Sequence, residues 1–208
     1  DHHVLKDIDL EIGKNQMISF SGPSGCGKST LLNIIGLLDI PTSGESVIFG
    51  NANPKPFSKE AVKILRNNIG YLFQDFALLD NKSVKYNLIM ALSYEKLSRI
   101  QKVNRINDTL KKVGLEGFID KKLSECSGGE QQRIAIARLL LKPCNVVLCD
   151  EPTGSLDEEN RDKVMELLLL LKEEGKTVVI VSHDPDVISY SDVSYVFENG
   201  RLKSKTHI

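Results

Sequence analysis

Residues 127–133 read Ser-Gly-Gly-Glu-Gln-Gln-Arg, and the place of this stretch between two other motifs is the most informative feature of the chain. A glycine-rich loop at 22–30 precedes it, and the acidic pair Asp150–Glu151 follows it. Many nucleotide-hydrolysing proteins combine a phosphate-binding loop with an acidic strand end. Few of them have a second glycine pair that opens a helix between the two, so the order of the three motifs narrows the possible families.

The glycine-rich loop matches the phosphate-binding pattern G-x-x-x-x-G-K-S over residues 22–29. A predicted strand at 16–20 precedes it and a predicted helix at 28–38 follows, which is the context that the pattern requires. Glycines allow backbone N–H groups to surround an anion at a helix N-terminus. We expect Lys28 to bridge the β- and γ-phosphates and Ser29 to ligate Mg²⁺. The other nucleotide-binding positions predicted in this loop are Gly22, Ser24, Gly25, Cys26, Gly27 and Thr30.

The acidic pair follows four apolar residues, Val-Val-Leu-Cys at 146–149, which predict a buried strand. Such a strand places the Asp150 carboxylate beside the Mg²⁺ shell. Glu151, one residue on, then faces the attacking water as general base, a role typically worth about 10²–10⁴ in rate. A solvated acidic strand end is the alternative, and the intact phosphate-binding loop argues against it.

Alternating apolar runs and helical patterns predict an α/β fold with a mostly parallel sheet. Further strands are predicted at 46–50, 69–73 and 177–182, and a C-terminal hairpin at 195–198 with the turn Asn199-Gly200. Only helices are predicted between about 75 and 138, at 83–92, 96–113 and 130–142. We interpret residues 1–208 as one domain, with a core of about 1–74 and 139–208 and an inserted helical subdomain of about 75–138.

The composition excludes several classes of protein. Over 208 residues the net charge is −1, which gives no electrostatic argument for a nucleic-acid partner. No apolar run approaches the roughly 20 residues that span a bilayer. The four cysteines form no C-x-x-C pair, and we interpret them as small apolar residues rather than as a metal site.

Six motifs in this order resemble those of the ATP-binding cassette (ABC) ATPases, and the resemblance covers residues 4–205. They are the phosphate loop 22–30, the Q-loop Gln74, the signature 127–130, Asp150-Glu151, the D-loop 155–157 and the switch His183. The resemblance implies a RecA-like phosphate-loop NTPase core with an antiparallel edge sheet and an inserted helical subdomain. It also implies ATP and Mg²⁺ as ligands.

The resemblance further implies a site that two copies of the chain complete together. Ser127, Gly128 and Gly129 of one protomer bind the γ-phosphate of the ATP that the Lys28 loop of the other protomer holds. Asp157 crosses the interface between the two protomers.

Two other site residues have roles that the resemblance supplies. His183 positions the γ-phosphate and the water, and Gln74 ligates Mg²⁺ and senses the membrane partner. Taken alone, His183 is an ordinary loop histidine and Gln74 a surface glutamine; their place in the series of motifs favours the functional interpretation.

Two signature positions depart from the common family pattern LSGGQ. Cys126 stands where leucine is usual, and Glu130 replaces glutamine. Ser127-x-x-Glu130 has the spacing of a helix capping box, so we expect the glutamate to cap the helix and to be tolerated.

The family has an aromatic residue that stacks on adenine just upstream of a strand like the one predicted at 4–8. The chain begins with Asp1 rather than methionine. We therefore expect this aromatic residue to lie in a preceding segment, with weak binding of adenine as the alternative.

The segments 36–45, 73–79 and 127–143 resemble the subgroup of macrolide-exporter, lipoprotein-releasing and bacteriocin-export ATPases. This implies a transmembrane permease as partner and a location in the cytoplasm at the inner face of the plasma membrane. Within this subgroup a lactococcin-type bacteriocin exporter is the preferred interpretation, which implies a bacteriocin as the substrate. Phe76, Leu78 and Leu79 either line the groove for a permease helix or belong to the core.

Other ATPase classes fit less well. A DNA-repair head would carry a long coiled coil between Lys28 and the signature, and a translation ABC protein would normally carry two cassettes. A kinase with a phosphate loop would leave residues 127–133 unexplained.

Overall fold

The strands of the protein are short and mostly apolar. The computed structural model describes residues 3–154 and 156–208. Ser155 of the predicted D-loop lies outside the described residues. The strands are β1 (Met17–Ser21), β2 (Val47–Ile48), β3 (Asn51–Ala52), β4 (Ile69–Leu72), β5 (Val146–Asp150), β6 (Thr177–Val181), β7 (Val193–Glu198) and β8 (Arg201–His207).

Seven α-helices connect these strands within the described residues. They are α1 (Lys28–Ile35), α2 (Lys59–Asn67), α3 (Val84–Ile89), α4 (Arg99–Lys112), α5 (Gly128–Leu141), α6 (Glu158–Glu173) and α7 (Pro185–Ser189). Short 3-10 helices occur at Met90–Leu92, Phe118–Asp120 and Leu123–Glu125. In the part of the chain that the structure describes, no helix is both long enough and apolar enough to cross a membrane.

One six-stranded sheet has the order β4-β5-β6-β1-β7-β8, in which only β8 is antiparallel to its neighbour. Strand β1 is central because β6 and β7 flank it. Val181 at the end of β6 lies opposite Phe20 of β1 and opposite Asp150 of β5. The three strands therefore end at the same edge of the sheet, and the loops that follow them meet there.

The sheet is covered on both faces. Alternate residues of its strands enter different cores: Met17, Val178 and Ile180 pack under α3 to α6, whereas Ile18 and Val179 pack with residues of α1 and α2. This alternation is the period-two pattern of a strand, here with apolar residues on both sides. The predicted α/β fold is confirmed.

The antiparallel elements and several boundaries differ from the prediction. In place of the predicted strand at 46–50 there is a short hairpin, in which β2 and β3 have two residues each. The chain turns between them because Phe49 has a left-handed φ of 49°. The predicted strand at 4–8 does not form, and Asp7 has φ 50°. Helix α1 ends at Ile35 rather than at 38, since Leu37 has φ 56°.

Helix α2 was not predicted, and α6 was predicted only as a short buried helix face at 167–171, although each helix has a local start signal. Ser58 caps α2 by accepting a hydrogen bond from the backbone of Ala61, and Asp157 caps α6 in the same way with Asn160. Both caps are of the residue types that begin helices. The predicted C-terminal hairpin is present as β7–β8, with Asn199 and Gly200 both at positive φ as a tight turn requires.

Candidate functional site

The phosphate-binding loop connects β1 to α1 and is held against other parts of the chain at two glycines. Gly22 has φ 135°, and a Cβ atom there would lie 2.1 Å from the carbonyl oxygen of Phe197 on β7. Gly27 has φ 101°, and its Cβ would lie 2.6 Å from Leu5 Cδ2. At Gly22 a side chain would collide with backbone, and at both positions the φ angle is one that residues with a Cβ atom rarely adopt, so the loop conformation depends on glycine at both.

Lys28, the first residue of α1, is buried, with 7% of its surface exposed. Its ammonium donates to the carbonyl oxygens of Gly22 at 2.8 Å and Pro23 at 2.9 Å. The cation is thus held inside the loop, beside the first turn of α1. Because Gly27 precedes this turn and offers no side-chain oxygen, the N–H groups at the helix start are free to face an anion.

Ser29 and Asp150 meet across the ends of α1 and β5. The Ser29 hydroxyl donates to Asp150 Oδ1 at 3.1 Å. Burial raises the pKa of the Asp150 carboxyl, with the charge of Glu151 adding to the rise and the hydrogen bond from Ser29 opposing it. A hydroxyl and a carboxylate are ligands that Mg²⁺ accepts, and a cation would relieve the cost of the half-buried charge. The residues therefore fit the ion that the sequence predicts.

Glu151 and His183 are in contact at the same edge of the sheet. His183 Nδ1 lies 3.0 Å from Glu151 Oε1. The hydrogen bond to Glu151, and then the charge of that carboxylate, raise the pKa of His183. Glu151 itself has a left-handed φ of 46°, and its N–H donates to the carbonyl of Val181 at 3.0 Å. The end of β6 thus orients the Glu151 backbone, and the His183 ring orients its carboxylate.

Gln74 is exposed and lies at the rim of a cavity of about 530 Å³ that also reaches Asp150. The other lining residues are Asn33, Tyr71, Phe73 and Asp75. The rings of Tyr71 and Phe73 stack at 4.2 Å, and Tyr71 donates to Asn33 at 2.9 Å. Gln74 therefore lies on the same open space as the predicted Mg²⁺ ligand Asp150.

Helix α5 begins at Gly128 with the reciprocal cap that the sequence predicts. The Ser127 hydroxyl accepts from the Glu130 N–H at 3.3 Å, and Glu130 Oε2 accepts from the Ser127 N–H at 2.6 Å. The backbone hydrogen bond from Ser127 lowers the pKa of Glu130, and Lys121, with its Nζ 3.6 Å away, lowers it further. Among the described residues, no hydrogen bond joins 127–129 to the Lys28 loop.

Two contacts of α5 were not predicted. The amide of Gln132, 1% exposed, donates to the carbonyl of Pro152, next to Glu151. Arg138 donates to the carbonyls of Phe76 at 2.7 Å and Ala77 at 2.6 Å, and burial lowers the pKa of its guanidinium. The sequence signal for the second contact is the position of Arg138, a charged residue inside the apolar run 134–141, where a buried guanidinium needs hydrogen-bond acceptors.

The segment after Gln74 divides between core and surface. Phe76 and Leu78 pack partly buried against the core under α3 to α6, whereas Leu79 is 42% exposed. Of the three candidates for a permease groove, Leu79 is the most exposed.

Comparison with known proteins places these motifs in a family. Residues 5–154 match the ABC transporter family. A macrolide export ATP-binding/permease protein MacB of Campylobacter fetus is 39% identical over 204 residues, which are 98% of this chain and 32% of the relative. The uncharacterized ABC transporter ATP-binding protein YvrO of Bacillus subtilis is 37% identical over 96% of this chain and 87% of the relative. The chain spans about a third of the MacB relatives it matches.

The fold is shared with solved structures. A dimeric post-hydrolysis state of the ATP-binding cassette MJ0796 bound to ADP and Pi superposes with a TM-score of 0.86 at 37% identity, covering 98% of this chain and 90% of that one. These matches do not favour the translation or DNA-repair classes. The fold, the order of the motifs and the family match together show that the chain belongs to the ABC transporter family, as one of its ATP-binding cassettes.

Proposed function

We propose that this chain hydrolyses ATP as a head-to-tail dimer and thereby drives a transmembrane permease. The observation that supports this most is the contact of Glu151 with His183 beside the Ser29–Asp150 pair, at one edge of the sheet. Strands β1, β5 and β6 end together at this edge, and the Lys28 loop follows β1 there.

In this proposal each side chain has a separate task. The ammonium of Lys28 and the N–H groups at the start of α1 bind the β- and γ-phosphates of ATP. Glu151 takes a proton from the water that attacks the γ-phosphorus, and His183 holds the carboxylate and the γ-phosphate in place. Asp150, Ser29 and Gln74 hold Mg²⁺, which when bound neutralises charge on the phosphate oxygens.

The second half of the site comes from the partner protomer. The first turn of α5, which presents the N–H groups of Gly128 and Gly129, binds the γ-phosphate across the dimer, and Asp157 lies at the interface. A homologous cassette has been solved as a dimer, which supports this arrangement. The core of about 1–74 and 139–208 carries the Lys28 loop, and the helical subdomain of about 75–138 carries the signature.

The cargo and location are also proposals. Relatives named as macrolide export proteins support an export function, with a macrolide, lipoprotein-like or bacteriocin-type substrate. The permease would hold the cassette at the inner face of the plasma membrane, and the exposed Leu79 beside Gln74 is a candidate contact.

The test is Glu151→Gln. We expect ATP binding to persist, turnover to fall at least about 10²-fold, and the protein to elute from gel filtration with Mg-ATP as a dimer. Glu173→Gln, at the exposed end of α6, is the control and should keep its turnover. Normal turnover of Glu151→Gln, or a monomer in saturating Mg-ATP, would refute the proposal.

A further inference from the structure

Arg161, in the first turn of α6, lies among four carboxylates. Two are on its own helix: Glu158 at 3.8 Å and Asp162 at 3.4 Å. The other two belong to the segment after β6: Asp184 at 3.4 Å and Asp186 at 3.0 Å, both from Nη1. The Arg161 side chain is 19% exposed and that of Asp184 29%, so the pair between them is partly shielded from water, whereas the other three carboxylates are mostly exposed.

The segment 182–186 is connected internally. The Asp184 N–H donates to the Ser182 hydroxyl at 3.1 Å, and Asp184 Oδ1 accepts from the Asp186 N–H at 2.9 Å, which caps α7. His183 lies in the middle of this segment, with its ring on Glu151. Asp184 is the neighbour of His183 in the chain, and Asp186 is hydrogen-bonded to Asp184. A displacement of either aspartate is therefore expected to displace the imidazole.

At the start of α6, Arg161 is joined to Asp157 by a hydrogen bond within one helical turn. Asp157 caps α6 by accepting from the Asn160 N–H at 2.9 Å, and the Arg161 N–H donates to the Asp157 carbonyl at 2.9 Å. Arg161 and Asp157 thus belong to one hydrogen-bonded turn. The guanidinium joins this turn to the segment 182–186.

Removing the guanidinium would leave like charges facing one another. The carboxylates of Asp162, Asp184 and Asp186 converge on it, and carboxylates so close repel when no cation lies between them. Without Arg161 the segment 182–186 is expected to move away from α6 and to carry His183 with it.

We propose that Arg161 is a positioning residue for ATP hydrolysis: by holding the segment 182–186 against the first turn of α6, it keeps the His183 imidazole on the Glu151 carboxylate. This rests on the roles that the proposed function gives to Glu151 and His183. Arg161 acts through other residues and does not itself contact the reacting groups.

The first test compares Arg161→Ala with Lys163→Ala in the protein at its natural length. Lys163 pairs with Glu159 at 2.6 Å on the same helix and has no part in the connection to His183. Since a small misplacement of a catalytic group is costly, we expect Arg161→Ala to lower kcat roughly 10-fold. The KM for ATP should change less than about twofold, because the ion pairs of Arg161 within the described residues are with Glu158, Asp162, Asp184 and Asp186 and with no residue of the Lys28 loop. Lys163→Ala should match the parent protein in both constants.

The second test is a double-mutant cycle with Asp186→Ala. If the ion pair positions His183, the double variant has the kcat of Arg161→Ala alone, rather than the product of the two losses. Arg161→Lys keeps a charge but loses the planar fork, and should recover part of kcat. Should Arg161→Ala fail to fold, Asp186→Ala compared with Lys163→Ala provides the same measurement from the other partner.

Three results would overturn the proposal: an unchanged kcat in Arg161→Ala, an equal loss in Lys163→Ala, or independent losses in the cycle. With such a result, an inactive Glu151→Gln variant would leave the proposed function standing. An active Glu151→Gln variant would remove the proposed function itself.

Discussion

His183 Nδ1 lies 3.0 Å from Glu151 Oε1, and this contact joins the loops that follow two neighbouring strands, β6 and β5. The carboxylate is thereby oriented by a side chain from another strand end. Since the Glu151 N–H also donates to the Val181 carbonyl, both the main chain and the side chain of Glu151 have a hydrogen-bond partner at the end of β6 or in the loop after it. In the proposed mechanism, in which Glu151 is the general base, a carboxylate held in this way loses little freedom when the water binds.

The contact predicts a pH-dependent contribution of His183 to stability. The hydrogen bond and charge of Glu151 raise the folded-state pKa of His183 above 6.5. The protonated ring therefore stabilises the folded state fully below pH 6.5, and this contribution disappears as the pH rises through the raised pKa. Because the pair is exposed, His183→Ala should cost under about 1 kcal/mol at about pH 5.5 and less than that at about pH 9.

Urea unfolding of the parent protein and of His183→Ala at both pH values measures this difference. His207→Ala, at the exposed end of β8, is the control. A larger cost at the higher pH would contradict the sign derived from the contact.

The cap of α5 is expected to contribute stability with the opposite pH dependence, since it involves a carboxylate with a lowered pKa. The backbone hydrogen bond from Ser127 lowers the pKa of Glu130 below 4.5. The ionised carboxylate therefore contributes stability above pH 4.5, and the contribution is lost as the pH falls through the lowered pKa. Glu130→Gln should lower the free energy of unfolding by less than about 1 kcal/mol at neutral pH and should keep hydrolysis.

Denaturant unfolding from neutral to acid pH, with ATPase assays beside it, measures both effects. The difference between parent and Glu130→Gln should shrink in acid. A variant that folds but does not hydrolyse ATP would mean that Glu130 has a chemical role beyond the cap.

Arg138 makes a prediction about the loop after Gln74. Its guanidinium bonds the carbonyls of Phe76 and Ala77, which both have left-handed backbone conformations, with φ 60° and 45°. Arg138→Met would leave these two carbonyls without their donor, and we expect a loss of about 1–3 kcal/mol in the free energy of unfolding.

Amide hydrogen exchange over residues 75–79 should accelerate in Arg138→Met. Arg99→Met, at the exposed first position of α4, should change neither quantity. Unchanged exchange in Arg138→Met would show that the loop conformation does not depend on the guanidinium.

The parts of this protein that the sequence predicted well depend on neighbours in the chain. The cap between Ser127 and Glu130 spans one helical turn, so its spacing alone specifies the hydrogen bonds. The position of the phosphate loop was also predictable, because the spacing of its glycines and the strand and helix beside it are local signals.

The parts that were missed depend on packing between distant segments. Arg138 meets Phe76, and Arg161 meets Asp186, only because helices settle on the sheet in one arrangement. The strand expected at 46–50 failed for a different reason: Phe49 adopts a left-handed conformation that the apolar pattern does not reveal.

Gly22 and Phe197 define how much chain the nucleotide loop needs. The family match ends at residue 154, yet Gly22 rests against the carbonyl of Phe197, and both neighbours of β1 come after that residue. A fragment cut at 154 would contain the loop, the signature and the acidic pair, but β1 would become an unpaired strand with nothing to shape the loop it feeds. Residues 5–154 are enough to recognise the family, but the chain must fold as far as β7 before the loop can hold ATP.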